Sequence, residues 1–332
     1  MTTVFTPMPI FNRPGELLDL LNKRGFAQEW VSVPGAPKGA GTNEESMRAM
    51  IDRAPEMEFL ITNTTPLGKE FFTAAKKLKL VAMYGVGLNH INIPEATAAG
   101  VLVTNVPGGN TRCVSELAFS FMLNLAHKVV QMHTELTGGS WRGRRGGEIS
   151  DKTLGLIGFG NIARDMARLA QAFGMRVIFA NRTPRPEAAR ELGATQLPFD
   201  QVLAEADYLS VHVPSGPGSW HFGKEEFAKM KKGAYFINTA RGDLMDLDAL
   251  TQALQSDHLA GAGLDVFPKE PVDPSHPILT LPNVVTTPHA GGLSSEAMAR
   301  VTVSCLDEID RILKKERSPN ARNPEVYERW GF

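Results

Sequence analysis

The segment Gly158-Phe159-Gly160-Asn161-Ile162-Ala163 carries the clearest chemical signal in the chain, because it fits the spacing G-x-G-x-x-G/A. The apolar run TLGLI leads into it and the helical pattern IARDMARLAQAF leads out, the strand–turn–helix context that a dinucleotide site requires. Gly158 permits the tight turn, Gly160 lets backbone approach a pyrophosphate, and Ala163 is small enough for close helix–strand packing. Asn161 and Ile162 open a helix whose N-terminal N–H groups and positive dipole suit phosphates. The next strand, Arg176–Ala180, ends where the adenosine ribose is read. An NAD site carries Asp or Glu there. This chain has Asn181, Arg182, Thr183, Pro184 and Arg185, with no carboxylate until Glu187. A carboxylate repels a 2′-phosphate, whereas Arg182 and Arg185 can pair with one bidentately. The pattern points to NADP(H) as the preferred cofactor. NAD(H), with its diol held by Asn181, is the alternative.

Other reactive side chains form no second pattern. The remaining histidines lack metal-ligand spacing such as HExxH, so no metal is expected. His212 falls within a strand and reads as a core residue. Cys113 and Cys305 fall in helical patterns with no adjacent base, as buried inert thiols do.

The elements that must position the fingerprint are short apolar runs alternating with helical patterns. Candidate strands are Thr3–Thr6, Glu29–Val33, Glu58–Thr62, Leu80–Tyr84, Val101–Asn105, Thr153–Gly158, Arg176–Ala180, Tyr208–Val213, Ala234–Asn238, Ala260–Val266 and Asn283–Thr286. Most are continuous apolar runs, as expected of strands buried on both faces of a parallel sheet. Gly15–Lys23, Glu44–Arg53, Lys69–Lys77, Ile162–Phe173, Lys224–Met230 and Leu247–Gln255 read as helices, and Thr111–His133 and Ser294–Lys315 as two longer ones. Strands alternating with helices predict a doubly wound α/β fold. The glycine- and arginine-rich Gly138–Glu148 reads as an irregular connection or exposed arm. The polar, proline-containing tail after Ser318 is expected to be weakly ordered.

A length of 332 residues suggests two domains at roughly 150 residues each. Balanced charge, 35 basic against 36 acidic residues, argues against a nucleic-acid binder or a binder of acidic membranes. Two cysteines exclude a disulfide scaffold. No apolar run approaches the roughly 18 residues of a membrane span, and the first residues lack a secretory pattern, so a cytoplasmic location is expected.

Further segments occur in one order around the fingerprint: Gly85-Val86-Gly87-Leu88-Asn89-His90-Ile91; Val106-Pro107-Gly108 with Val114-Ser115-Glu116; Asn238-Thr239-Ala240-Arg241-Gly242; Gly263-Leu264-Asp265-Val266-Phe267-Pro268-Lys269-Glu270-Pro271; and Pro288-His289-Ala290-Gly291-Gly292. From about residue 58 to 315 the chain resembles the D-isomer-specific 2-hydroxyacid dehydrogenase family, in its glyoxylate/hydroxypyruvate reductase-like branch. The resemblance implies an NAD(P)-dependent enzyme acting on a small 2-oxo or 2-hydroxy acid. It implies two doubly wound parallel-sheet domains, with a Rossmann-type cofactor domain (106–289) inserted into a flavodoxin-like substrate domain (1–105 and 290–332). A homodimer is expected, the segment around Trp141 being similar to the family's dimer arm.

The resemblance makes Arg241, Glu270 and His289 the catalytic set, and their chemistry is suitable. Arg241 follows the strand AYFIN, and His289 follows NVVTT, at the carboxyl edge where α/β ligands bind. A guanidinium fork can hold a carboxylate and polarise a 2-oxo group. Histidine gives and takes protons near neutral pH, and Glu270 on its far nitrogen fixes the tautomer and favours imidazolium. The resemblance also puts Asp265 near the nicotinamide, lines that side with Val213, Pro214, Thr239 and Ala240, and assigns the Gly85-Val86-Gly87 backbone to the substrate carboxylate. By itself that last loop reads as a simple tight turn. A phosphoglycerate dehydrogenase-like NAD enzyme and a dinucleotide-sensing corepressor-like protein are the alternatives.

Overall fold

The computed structural model describes residues 2–8, 15–31 and 44–331. The chain forms two compact units, residues 1–110 with 293–332, and residues 111–292.

The first unit contains β1 (Thr2–Thr6), α1 (Glu16–Lys23), β2 (Phe26–Trp30), α2 (Glu44–Arg53), β3 (Phe59–Thr62), α3 (Lys69–Ala74), β4 (Leu80–Met83), α4 (Ile93–Ala98) and β5 (Leu102–Thr104). Its strands are all parallel, in the order β2-β1-β3-β4-β5, the doubly wound order of flavodoxin-like sheets. Side-chain alternation explains why these runs are apolar throughout. Phe59, Ile61, Leu80 and Ala82 join one core, while Leu60, Val81 and Val103 join another on the opposite face.

The second unit contains α5 (Thr111–His127), α6 (Val129–Thr137), β6 (Thr153–Ile157), α7 (Asn161–Ala172), β7 (Arg176–Ala180), α8 (Pro186–Glu191), β8 (Thr195–Gln196), α9 (Phe199–Glu205), β9 (Tyr208–Val211), α10 (Lys224–Lys229), β10 (Tyr235–Asn238), α11 (Leu247–Gln255), β11 (Gly261–Leu264) and β12 (Val284–Thr286). Its parallel sheet runs β12-β11-β10-β9-β6-β7-β8. The winding direction reverses between β6 and β9, which places a crevice at their carboxyl ends. The chain then returns to the first unit through α12 (Ser295–Leu313) and α13 (Val326–Trp330). Ser294 caps α12, its Oγ accepting from Ala297 N–H at 3.1 Å.

Several expectations require correction. The helix expected over 111–133 breaks at Lys128, which is left-handed with φ 55°. There the Ala126 carbonyl accepts from Gly147 N–H at 2.9 Å instead of continuing the helix. The first sheet's second strand lies three residues earlier than expected, because Phe26 supplies a buried core side chain; the last two positions of the expected strand lie outside the described residues. Residues 106–110 join the first unit, where Val106 N–H bonds Gly85 O, and 290–292 join the second, where Ala290 and Gly291 bond Asp265. The tail is ordered. Ala321 forms an antiparallel bridge with Thr104, Arg322 N–H bonds Val103 O at 2.9 Å, and Val326 and Tyr327 are buried. The free edge of β5 needs backbone partners, and these residues supply them.

Candidate active site

The fingerprint turn leaves β6 where β9 comes closest. Gly158 has φ 92°, and a Cβ there would stand 2.6 Å from His212 O and 2.8 Å from Val213 Cγ1. Only glycine meets both conditions. A Cβ on Gly160, by contrast, would meet nothing within 4 Å, so the backbone of the following helix start stays open to a ligand. Asn161 is the first residue of α7, Ile162 follows it, and Ala163 is fully buried beneath. Asn181 secures this turn to the end of β7, accepting from Phe159 N–H at 3.2 Å and donating to Thr183 O at 2.6 Å. Its amide is therefore engaged by the protein itself.

Beside the turn lies a cleft of about 430 Å³, lined by Phe159, Gly160, Arg164, Pro184, Arg185 and Glu187 among others. Arg185 uses its backbone N–H to reach Gln196 Oε1 at 3.0 Å, leaving its guanidinium exposed. Arg182 is exposed and donates to Gly218 O at 3.2 Å. Arg164 was not expected. It lies one helical turn beyond Asn161 and donates to that residue's Oδ1 at 2.8 Å, an i,i+3 relation legible in the sequence. An open glycine, a helix N-terminus and a cationic cleft fit a phosphate-bearing dinucleotide.

Arg241, Glu270 and His289 come together on three neighbouring loops at the carboxyl edge of the same sheet. The fully buried Asn238 fixes the first loop, accepting from Ala240 N–H at 3.0 Å and donating to Arg241 O at 2.9 Å. Gly242 then allows backbone to lie on backbone, since a Cβ there would stand 1.9 Å from Phe267 C. Burial lowers the Arg241 pKa, opposed by the charges of Asp243 and Glu270, and a guanidinium so placed remains cationic.

Glu270 accepts from Phe267 N–H at 3.0 Å through Oε1 and pairs with His289 Nδ1 at 2.7 Å through Oε2. Burial acts to raise the Glu270 pKa, but the hydrogen bonds from His289 and Phe267, with the charges of His289 and Arg241, hold it below the usual carboxylate value. The same hydrogen bond raises the His289 pKa, against desolvation and Arg241. With Nδ1 committed, His289 Nε2 has no protein partner among the described residues.

Asp265, expected beside the nicotinamide, is tied into the loop that follows β12. It is buried, and its carboxylate accepts from Thr287 Oγ1 at 2.5 Å, Ala290 N–H at 2.7 Å and Gly291 N–H at 2.9 Å. His289 N–H bonds Asp265 O at 2.8 Å, which holds the histidine at φ 51°. Asp265 thus shapes the loop that carries His289. Desolvation raises its pKa against these bonds. Val213 is half-buried and Pro214 exposed just past β9, Ala240 is half-buried just past β10, and Thr239 Oγ1 is buried without a protein partner among the described residues. Desolvation pushes His212 down to about 3, so the ring is neutral, sharing a 2.9 Å hydrogen bond with Ser210.

In the first unit, Gly85-Val86-Gly87 follows β4, and Gly85 has φ 142°. Gly85 O accepts from Val106 N–H at 2.8 Å and Val86 O from Asn105 Nδ2 at 2.7 Å. No group of three or more His, Cys, Asp or Glu side chains among the described residues could hold a metal ion.

A Rossmann-type sheet with a glycine turn, an arginine and a carboxylate-backed histidine at its carboxyl edge defines a nicotinamide-dependent oxidoreductase. Residues 119–291 match the family model for the D-isomer specific 2-hydroxyacid dehydrogenase, NAD binding domain, and the chain belongs to this family. It is 37% identical over 324 residues to a glyoxylate reductase of Thermococcus litoralis, spanning 94% of this chain and 95% of that protein. It is 38% identical over 261 residues to a hydroxypyruvate reductase of Thermotoga maritima, 77% and 84% of the two chains. The solved TT0316 protein of Thermus thermophilus superposes with a TM-score of 0.85 at 33% identity, covering 97% of this chain and all of that one.

Proposed function

We propose that this enzyme reduces a small 2-oxo acid of the glyoxylate or hydroxypyruvate type to the D-2-hydroxy acid, preferring NADPH to NADH. The observation that carries the reading is the His289–Glu270 pair, with Nδ1 bound at 2.7 Å and Nε2 left without a protein partner. When bound, the cofactor supplies the hydride that C2 accepts. Imidazolium at His289 delivers the proton from Nε2 to the developing alkoxide. Glu270 stabilises that imidazolium, so that the ring takes up a new proton from solvent before the next turnover. Arg241 holds the carboxylate and draws electron density from the 2-oxo group. The family resemblance assigns the Gly85-Val86-Gly87 backbone to the substrate carboxylate.

The preference for NADPH is supported by Arg182 and Arg185, and by the lack of a carboxylate at Asn181, whose amide is held by Phe159 and Thr183. The support for a homodimer is the apolar surface of α6 and the arm after it, where Val129, Val130 and Leu136 are exposed and Trp141 is 91% exposed. A cytoplasmic location accords with a chain that carries only two cysteines.

The test is the initial rate of cofactor oxidation with glyoxylate, hydroxypyruvate, 3-phosphohydroxypyruvate and pyruvate, each with NADPH and with NADH. The reading expects glyoxylate or hydroxypyruvate with NADPH to give the highest kcat/KM. Preferential turnover of the phosphorylated acid with NADH would instead mark a phosphoglycerate dehydrogenase-like enzyme. Tight cofactor binding without turnover of any 2-oxo acid would overturn the reading in favour of a sensor.

A further inference from the structure

The C-terminal segment that closes the β5 edge also reaches the Gly85–Gly87 loop. Arg322 Nε donates to Asn105 Oδ1 at 2.7 Å, and Asn105 Nδ2 donates to Val86 O at 2.7 Å. Asn105 is only 4% exposed. A guanidinium only donates and a carbonyl only accepts, so one amide orientation alone serves both partners.

The consequence lies in the peptide planes. In a trans peptide the carbonyl and the following N–H point in opposite directions. Holding Val86 O toward Asn105 therefore turns the Gly87 N–H away from it. The Val106 N–H does the same to the Val86 N–H by holding Gly85 O at 2.8 Å. Two successive N–H groups thereby face away from Asn105 and Val106, neither with a protein partner among the described residues, and both are available to an anion. Backbone alone aims the first. The second depends on one side chain, and through it on a residue 217 positions later in the chain.

We propose that Asn105, held by Arg322, is a positioning residue for the reaction, aiming the Gly87 N–H at the substrate carboxylate. This rests on the assignment of the Gly85–Gly87 loop to that carboxylate. Asn105→Asp isolates the effect. It keeps an oxygen for Arg322 but sets an acceptor against Val86 O, so the peptide turns while the tail stays attached.

The experiment uses the full chain with glyoxylate as substrate and oxamate as a non-reacting carboxylate probe. It measures KM, kcat, the oxamate inhibition constant, the cofactor KM and Tm. Asn105→Asp and Asn105→Ala are expected to raise the glyoxylate KM and the oxamate constant together, by about tenfold or more. The cofactor KM stays near the wild-type value. Arg322→Ala, which removes the support and leaves the amide, raises the same two constants by less. A purely structural role would lower Tm and kcat with both constants unchanged, and that result overturns the proposal. Gly87→Pro deletes the N–H itself and separates the two assignments. If it raises the oxamate constant and the Asn105 variants do not, the Asn105 role alone fails. If it too leaves the oxamate constant unchanged, the carboxylate assignment of the loop fails with it.

Discussion

Replacing Glu270 by glutamine tests the proton-delivery step at one atom. The amide keeps an oxygen for His289 Nδ1, sets its NH2 against Phe267 N–H, and removes the charge that now stands 2.7 Å away. A charge-assisted hydrogen bond contributes about 1.5–3 kcal/mol. The His289 and Glu270 side chains are 41% and 36% exposed, so screening favours the lower end of that range. A loss of about 1.4 kcal/mol corresponds to a tenfold fall in kcat for reduction at neutral pH. The sign of the pH effect follows from the raised pKa of His289. Reduction needs imidazolium, so its rate declines as pH rises through that pKa. Without the carboxylate the decline moves to lower pH, and the rise of the reverse oxidation, which needs the neutral ring, moves down with it. The assay is kcat and kcat/KM against pH in both directions. Unmoved limbs with an unchanged kcat would refute the reasoning, and a change confined to KM would make Glu270 a binding residue.

Other outcomes follow from single contacts. Arg182→Ala should raise the NADPH KM about tenfold while leaving the NADH KM near wild type, because only the first cofactor carries the 2′-phosphate; equal effects on both would remove the case for NADPH. Gly242→Ala places a methyl 1.9 Å from Phe267 C, so the Arg241 loop must shift by about an ångström, and kcat/KM should fall roughly a hundredfold; near-normal turnover would show that the loop tolerates the displacement. Asn323→Ala leaves Val103 N–H and Val101 O without the side chain that bonds both at 2.8 Å, at a cost of about 2–4 kcal/mol, to be read by urea denaturation.

Much of this architecture is legible in the sequence because the chemistry is local. Continuous apolar runs mark strands buried on both faces, and the fingerprint states its own turn and helix. Arg241 and His289 enter through the family resemblance, and each lies three residues past a recognisable strand. What stayed hidden depends on distant partners. Nothing in the polar residues after Ser318 indicates that β5 will have a free edge for them to cover. The break at Lys128 needs knowledge of Gly147, and the hold of Asp265 on the His289 loop needs the three donors that surround it. Asn105 and Asn181 share one character: each is a short amide that fixes a functional loop through a partner distant in sequence, Val86 for the one and Phe159 for the other.

The division of the first unit sets an order of events during synthesis. Residues 111–292 form one continuous unit and can fold once they have emerged from the ribosome, whereas the first unit also needs residues 293–332. Until α12 arrives, the core face bearing Phe59, Ile61, Leu80 and Ala82 lacks Val301, Leu306 and Ile309. The earlier-made half is thus expected to mature last, waiting as a nascent apolar surface on which chaperones act. A message cut short after codon 292 would yield an intact dinucleotide-binding unit attached to a half that cannot close.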